Sequence, residues 1–481
     1  MFLGTADSPK GAASKVARGE PLPASHAVPK PRTKTGTLLQ SMTMEEVASL
    51  GNLMLAFSNV AKNNGAPGPD RTSVSEVRKH LGDILDRLHR CLLDGSYRPG
   101  LIRRVWIPKP GGDKRGLGIP NVVDRIVQQA VLQVLSPQYE PTFHASSHGF
   151  RPGRSCHTAI AEACRHLQEG FEWVVDLDLS RFFDRVHHER LLAKLAERIQ
   201  DRRVLGLIRQ MLRAKVVMPD GVVVSTVEGT PQGGPLSPLL SNIVLDELDR
   251  ELERRGHRFV RYADDCNIYV RSERAGHRVM ASVTRFIESR LRLVVNAEKS
   301  AVARPEDRHF VGFRLWPKPE ESETTVLLSK RSQERLRQRI RELTPRVWGR
   351  SMDDCIHRLN AYLLGWLGFF WIAGMRQVVI STDAHVRRRL RAIQLKQWKR
   401  RRTMAKRLIR LGVTPTTAWR GIYRGRKSIW ALSHAAAVDR GLSNEYFARL
   451  GLVSLEATWK ERRAEHRLQR RGPAQLSLMP G

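Results

Sequence analysis

Between about residue 43 and residue 317, helical spacing of apolar residues alternates with short runs of β-rich composition. Thr43 and Glu46 have the spacing of a capping box, which predicts a helix start, and apolar residues at helical spacing follow in "VASLGNLMLAFSNVA". The β-rich runs recur at irregular intervals, as in 101–108 and 258–270. Helices and strands mixed in this way predict an α+β domain, because a regular βαβ repeat would space them evenly.

Beyond about residue 325 the pattern becomes mostly helical. Leu336, Ile340 and Leu343 form one apolar stripe, and an aromatic block at 362–371 needs a packing partner. At the other end of the chain, residues 1–40 hold five prolines, many small residues and scattered basic residues, which predict a disordered basic arm.

Composition narrows the class of partner. The formal net charge is +34, and an excess of this size destabilises a compact chain unless a polyanion neutralises it. Five cysteines without a Cys-x-x-Cys pair argue against a disulfide framework or a zinc module. The most apolar stretch, 361–374, is too short to span a bilayer, and the first residues lack a signal-peptide pattern. We therefore expect a cytoplasmic, nucleoid-associated protein that binds nucleic acid rather than a membrane.

The strongest basic segment is 387–410, in which twelve of twenty-four residues are Lys or Arg and none is acidic. A solvated helix face explains most short charge runs, but like charges repel along a helix, and this density favours a phosphate-binding surface. Trp398 within it is a stacking or a packing residue. The candidate nucleic-acid-binding residues are Arg387, Arg388, Lys399, Arg400, Arg401 and Arg402.

Two acidic motifs carry the candidate chemistry. Asp176 and Asp178 are two apart in a predicted strand, so their side chains share a face. Asp264 and Asp265 lie in "RYADD", between two runs of strand composition, which predicts a hairpin turn. Surface Asp-Asp turns are common, so this motif alone is weak evidence. If Asp178 lies beside the turn, however, three carboxylates need divalent cations, and two such ions roughly 3.5–4 Å apart promote phosphoryl transfer.

Several further segments resemble, in order, the sequence blocks of the group II intron-encoded reverse transcriptase/maturase family. The resemblance extends from about residue 50 to the end of the chain. The matching segments are 65–70, 107–131, 146–160, 178–184, 229–249, 261–265, 291–300, 310–313 and, for the maturase-specific thumb, 357–370.

The resemblance implies a right-hand polymerase with fingers and palm over residues 41–320. An all-helical thumb, the maturase-specific domain, is expected over 325–400, and a basic DNA- and RNA-binding region over 401–481. After residue 400 there is no cysteine, and the histidines lack metal-ligand spacing. We therefore expect a variant without the endonuclease domain found in some relatives.

The family's functional residues map onto this sequence. Asp178, Asp264 and Asp265 are the implied catalytic and metal-binding residues, for two Mg²⁺ ions or for Mn²⁺ as an alternative. Asp176 and Asp184 are expected to be structural.

Five other residues match nucleotide-binding positions of the family. Phe183 resembles the aromatic gate that excludes a 2′-hydroxyl, with an ordinary core Phe as the alternative. Gln232 resembles the residue beneath the incoming base, where the adjacent glycines allow close backbone approach to the substrate. Lys109 and Arg115 resemble triphosphate-binding residues, with simple solvation as the alternative. Lys299 resembles a lysine near the leaving pyrophosphate.

The implied function is an RNA-directed DNA polymerase that also assists splicing of its intron RNA. Its expected partners are group II intron RNA, an RNA template with a DNA primer, dNTPs and target DNA. Two alternatives remain open: a non-catalytic RNA-binding splicing factor, and a reverse transcriptase of a retron, defence or repair system.

The basic segment yields a prediction. Replacing Arg400, Arg401 and Arg402 by Gln is expected to weaken RNA or DNA binding, because phosphate contacts are lost. It should also flatten the plot of log affinity against log salt by about one unit for each lost contact. Titrations at several salt concentrations measure this slope, and an unchanged slope would identify the segment as a solvated helix face.

Overall fold

The computed structural model describes residues 42–108, 114–226, 228–230, 233–317, 324–345, 349–424 and 428–471, with side chains up to residue 467. The predicted N-terminal arm lies outside the described residues. Lys109 and Gln232 also lie outside them, so their predicted roles remain predictions.

The first ordered segment begins where the capping box predicts. The Thr43 N–H donates to Glu46 Oε2 over 3.0 Å, and the Glu46 N–H donates to Thr43 Oγ1 over 3.3 Å. The expected single helix is nevertheless two helices, α1 (Met44–Ala48) and α2 (Leu50–Asn63). The helix is interrupted at Ser49, because the Ser49 hydroxyl accepts the Asn52 N–H and so caps the start of a second helix.

The remaining helices before residue 330 surround the strands. They are α3 (Val74–Lys79), α4 (Leu81–Leu93), α5 (Val122–Tyr139), α6 (Cys156–Gln168), α7 (His188–Ala196), α8 (Arg202–Leu212), α9 (Ser237–Arg254) and α10 (Glu273–Phe286). Short helical turns cover Glu140–Thr142, Phe182–Asp184, Ile287–Leu291 and Pro305–Asp307.

Within the described ranges, the strands form three small sheets. They are β1 (Ile102–Pro108), β2 (Lys114–Ile119), β3 (Trp173–Leu177), β4 (Val216–Val217), β5 (Val223–Val224), β6 (Arg258–Tyr262), β7 (Asp265–Val270), β8 (Ala301–Ala303), β9 (Phe313–Trp316) and β10 (Thr325–Leu328). The sheet orders are β2-β1-β4-β5, β6-β7-β3-β8 and β10-β9.

The sheet β6-β7-β3-β8 is antiparallel at each of its pairings and is covered on both faces. Successive strand residues point to opposite faces, so Val175 and Ile268 pack into one apolar cluster with α1–α5 and α7–α9. Val174 and Tyr269 pack into a second cluster with α6 and the helices that follow residue 330. Burial on both faces gives this sheet a fixed register.

From residue 330 onward, the elements of the described chain are all helices. They are α11 (Lys330–Leu343), α12 (Met352–Phe370), α13 (Arg376–Gln397), α14 (Arg401–Arg410), α15 (Pro415–Tyr423), α16 (Ile429–Leu432), α17 (Ala436–Gly441), α18 (Asn444–Arg449) and α19 (Leu455–Arg471).

The aromatic block of α12 finds its packing partner in β9. The rings of Phe369 and Phe370 lie 5.9 and 5.2 Å from that of Phe313, and Trp366 is buried beside them. The predicted α+β fold with a helical C-terminal region is confirmed, whereas the expected boundaries at 320, 325 and 400 stay predictions. No described helix has the length and apolar character needed to cross a bilayer.

Candidate active site

The strand register brings Asp178 beside Asp265. Asp178 follows the last residue of β3, and Asp265 is the first residue of β7. Leu177 pairs with Cys266 in the antiparallel ladder, so the next pair in register is Asp178 with Asp265. Paired strands lie about 4.8 Å apart, and opposite residues point to the same face. The two acidic motifs, far apart in sequence, therefore meet at one end of the sheet.

Asp264 lies in the turn of the β6–β7 hairpin. Tyr262 pairs with Asp265, which leaves Ala263 and Asp264 as the two central turn residues. Ala263 has a φ of 59°, as the first central residue of a tight hairpin turn requires. The predicted hairpin is confirmed, with Asp265 opening the second strand.

The carboxylates perturb one another. The pKa of Asp265 is raised to about 7, mainly because surrounding protein displaces water, and then by the charges of Asp264, Asp176 and Asp178. Asp265 nevertheless keeps a solvent-exposed surface at the start of β7. Burial also raises the pKa of Asp264. The negative charge of Asp178 raises this pKa further, and the positive charge of Arg115 lowers it.

Such a site fits a divalent cation that the substrate helps to bind. Clustered carboxylates that are short of water repel one another, and a cation relieves that repulsion. Among the described residues, no three His, Cys, Asp or Glu side chains are arranged to hold a metal ion by themselves. Magnesium-type ions in phosphoryl-transfer sites commonly bind through one or two carboxylates plus substrate phosphates and water. The observed arrangement meets that requirement.

A buried ion pair holds the β6–β7 turn. The Arg261 and Asp249 side chains both have 0% exposure, and the guanidinium donates to the carboxylate over 2.7 Å from Nε and 2.5 Å from Nη2. Arg261 Nη1 also donates to the Ala263 carbonyl over 2.8 Å and to Asn242 Oδ1 over 3.0 Å. The Arg261 side chain thus fixes the backbone of the turn from beneath, and α9 supplies its anchor.

Gly149 closes the other side of the turn. Asn242 Nδ2 donates to the Gly149 carbonyl over 2.9 Å. A Cβ at position 149 would lie 2.1 Å from the Ala263 nitrogen, so only glycine fits there. The segment "SSHG" consequently packs directly against the β6–β7 hairpin.

Phe183 lies in the helical turn that follows Asp178. It is buried, and its ring meets Phe182 edge-on with centroids 5.3 Å apart. The Phe183 carbonyl accepts the Thr230 N–H over 2.6 Å, which ties the "GTPQGG" segment to this turn. Both the gate and the core interpretation are compatible with this position, so the gate stays a prediction.

Gly233 and Gly234 of that segment approach protein rather than open space. Gly233 has a φ of 122°, and a Cβ there would lie 2.5 Å from the Gly118 carbonyl of β2. A Cβ at Gly234 would lie 2.2 Å from Gln128 Oε1 of α5. These glycines were expected to let the backbone approach a substrate closely. In the described residues, the groups that they approach closely belong to β2 and α5.

Lys299 lies in a segment that is hydrogen-bonded to the backbone of Asp178. The Asn296 N–H donates to the Asp178 carbonyl over 2.8 Å, and the Asp178 N–H donates to Ser300 Oγ over 3.0 Å. Arg308 donates to the Lys299 carbonyl over 2.5 Å and bonds Asp176 over 2.8 Å. The Lys299 side chain is exposed, and Asp176 has Arg308 as its partner, so the structural role of Asp176 stays a prediction.

Arg115 lies in β2 opposite Ile107, is exposed, and acts electrostatically on Asp264. Its positive charge therefore opposes the rise in the pKa of Asp264. A triphosphate-binding role for Arg115 stays a prediction.

The basic segment divides into surface and internal residues. Lys399, Arg400 and Arg402 are exposed near the start of α14, whereas Arg387, Arg388 and Arg401 are partly buried. The Arg388 guanidinium lies 4.2 Å from the ring centre of Trp430. Trp398 is buried, so it is a packing residue and not a free stacking surface.

Sequence reasoning missed Arg261 and Asp249. A signal was present, because Arg261 is two residues from the buried Phe259 in β6 and so shares its face. Asp249 likewise lies four residues after Leu245, on the buried face of α9. Opposite charges at two apolar positions indicate a buried ion pair.

Comparisons with known proteins agree with one another on the protein family. A family model described as "Reverse transcriptase (RNA-dependent DNA polymerase)" matches residues 107–315, and one described as "Group II intron, maturase-specific domain" matches residues 333–411. Protein YkfC of Escherichia coli K12 is 32% identical over 365 residues, which cover 68% of this chain and 94% of YkfC.

The group II intron-encoded protein LtrA of Lactococcus lactis is 38% identical over 200 residues, which cover 41% of this chain and 32% of LtrA. The match thus spans about a third of that relative's length. A chain of the solved "Partial Cas6-RT-Cas1--Cas2 complex" aligns with a TM-score of 0.34 and 24% identity, over 55% of this chain and 46% of that chain.

The buried ion pair yields a prediction. Replacing Arg261 by Met or Asp249 by Asn is expected to lower the free energy of unfolding by about 3–5 kcal/mol, because the partner charge remains buried and unpaired. Urea denaturation measures this loss. The double variant Arg261→Met/Asp249→Leu should recover part of it.

The matched control is Arg213→Gln, which breaks the exposed pair with Glu189 and should cost no more than about 1 kcal/mol. Single variants at 261 and 249 that are as stable as this control would show that the pair does not hold the turn.

Proposed function

Because the chain belongs to the family of group II intron-encoded reverse transcriptases and maturases, we propose that it copies RNA into DNA by two-metal nucleotidyl transfer at Asp178, Asp264 and Asp265. The chain is an RNA-directed DNA polymerase, an enzyme class that depends on divalent metal ions. The proposal adds the residues, the ion Mg²⁺ and the substrates.

The single observation that carries the proposal is the register of β3 and β7. Continued by one residue beyond its last pair, Leu177 with Cys266, this register sets Asp178 opposite Asp265, the first residue after the turn that carries Asp264. The raised pKa values of Asp264 and Asp265 support it, because they report carboxylates crowded together with little water. A site of this charge favours divalent cations over other ligands.

Each residue has a role in the proposed reaction, in which a primer 3′-hydroxyl attacks the α-phosphate of a dNTP. Bound Mg²⁺ supplies charge stabilisation for the attacking and leaving oxygens. Asp178 and the Asp264–Asp265 turn orient the reacting groups, and the clamp by Arg261 keeps that turn rigid. Arg115 binds the triphosphate from β2.

Lys109, Lys299, Gln232 and Phe183 complete the proposed nucleotide site. The two lysines contact the triphosphate and the leaving pyrophosphate, and Gln232 lies beneath the incoming base. Phe183 excludes a 2′-hydroxyl, so that deoxynucleotides are preferred.

The second part of the proposal is binding of the parent intron RNA to assist its splicing. The maturase-specific match over 333–411 covers the helical region from α11 to α14. Exposed Lys399, Arg400 and Arg402 supply positive charge for phosphate contacts there. Shape recognition of structured RNA would supply the specificity, and target DNA is a further proposed partner.

Primer extension tests the polymerase. Purified protein with an RNA template, a DNA primer, dNTPs and Mg²⁺ is expected to extend the primer. Asp264→Ala should slow extension by about a hundredfold or more, because a group that acts on the transition state is lost. Chelation of the metal should abolish extension by the wild type.

The control is Asp86→Ala, an exposed acidic residue of α4, which should extend like the wild type. Equal extension by the wild type and Asp264→Ala, or no extension by either, contradicts the proposed chemistry. Retained binding of intron RNA without any extension would indicate a splicing factor alone.

A further inference from the structure

Phe150 combines two features that are unfavourable for a bulky apolar residue. Its side chain is 47% exposed to water. Its backbone has a φ of 62°, a left-handed conformation that is rare for a bulky residue. Residues held in such conformations cluster at functional sites, because the surrounding structure must enforce them.

The residues before Phe150 are fixed to β6. The Arg261 N–H donates to the Ser146 carbonyl over 2.9 Å, and the His148 N–H donates to the Arg261 carbonyl over 2.8 Å. The side chain of Asn242 holds the Gly149 carbonyl. The segment therefore runs alongside the catalytic hairpin as far as its turn.

The residue after Phe150 is fixed as well. Arg151 is buried, and its guanidinium donates to the Glu140 carboxylate over 2.6 Å, to the His144 carbonyl over 2.6 Å and to the Ser147 carbonyl over 2.9 Å. With both neighbours anchored, the backbone of Phe150 is held in one conformation before any ligand binds.

The position of Phe150 follows from Gly149. Because a Cβ at 149 would lie 2.1 Å from the Ala263 nitrogen, chain geometry puts the Phe150 Cα within about 8 Å of that nitrogen. An exposed aromatic side chain thus begins beside the turn that carries Asp264.

We propose that Phe150 is a preorganised contact for the primer–template duplex, whose ring packs on the sugar and base of the nucleotide at the growing primer end. The inference rests on the proposed function, which brings that primer end to Asp264. Aromatic rings pack on nucleotides without regard to sequence, as copying of any template requires. A protein partner seated beside this turn would block the substrate.

Replacing Phe150 by Gly tests the inference, because glycine accepts a φ of 62° but removes the ring. The stability of this variant should equal or exceed that of the wild type. Its Kd for a fluorescent primer–template, measured by anisotropy without dNTPs, should rise about fivefold to a hundredfold. Phe150→Tyr and Phe150→Trp keep a ring and should bind like the wild type.

Asn64→Gly is the matched control. It also relieves a left-handed residue, with a φ of 39° at an exposed helix end, and removes no aromatic ring. Its duplex affinity should be unchanged.

Wild-type affinity in Phe150→Gly overturns the inference, as does weak binding that accompanies loss of stability. Weak binding by Phe150→Tyr and Phe150→Trp also overturns it. The Asp264→Ala variant separates the two proposals: it should bind the duplex normally and fail to extend it. If the wild type binds the duplex with an affinity that depends on Phe150 but does not extend the primer, only the proposed chemistry is contradicted.

Discussion

The buried ion pair between Arg261 and Asp249 is the constraint on which the geometry of the candidate site depends. The β6–β7 turn combines a positive φ at Ala263 with crowded carboxylates at Asp264 and Asp265, and both features are unfavourable. The guanidinium offsets this, because it binds Asp249 through two hydrogen bonds and the Ala263 carbonyl through a third. The cost of burying these charges is repaid by the hydrogen bonds that satisfy them, and what the fold gains is a turn of one conformation.

The register of the sheet is the second constraint on the geometry of the site. Apolar residues of β3 and β7 are buried on both faces, so a slip by one residue would move Val175 and Ile268 out of one core and into the other. The same register that satisfies the cores also places Asp178 opposite Asp265. Packing far from the site thus sets the separation of its carboxylates, and their mutual repulsion is the electrostatic cost of that separation.

Sequence patterns predicted β1, β3, β6 and β7, the hairpin and the helical C-terminal region, because each follows from local composition and periodicity, whereas the short strands β8 and β10 were not predicted. The break at Ser49 was missed, since a serine hydroxyl competes with helical hydrogen bonds only when the next turn offers a suitable N–H. The Arg261–Asp249 pair was missed because charged residues are mostly exposed, and only their partners reveal the exceptions. The roles of Phe150 and Gly149 depend on backbone angles and on contacts across more than a hundred residues, which no local pattern encodes.

The arginine residues fall into two groups: some bind carbonyls inside the fold, and others are exposed to solvent. The net charge of +34 suggests a polyanion partner, yet several guanidiniums are committed to carbonyls inside the fold. Arg151 binds loop carbonyls beside the site, Arg125 binds the Ala66 carbonyl, and Arg391 binds the Leu442 carbonyl. Arginine suits this use because it stays charged and offers five donors in a rigid plane. A buried guanidinium contributes little to phosphate contacts, so composition overstates the binding surface. The segments that meet nucleic acid are therefore better sought among exposed cations such as Lys399, Arg400 and Arg402.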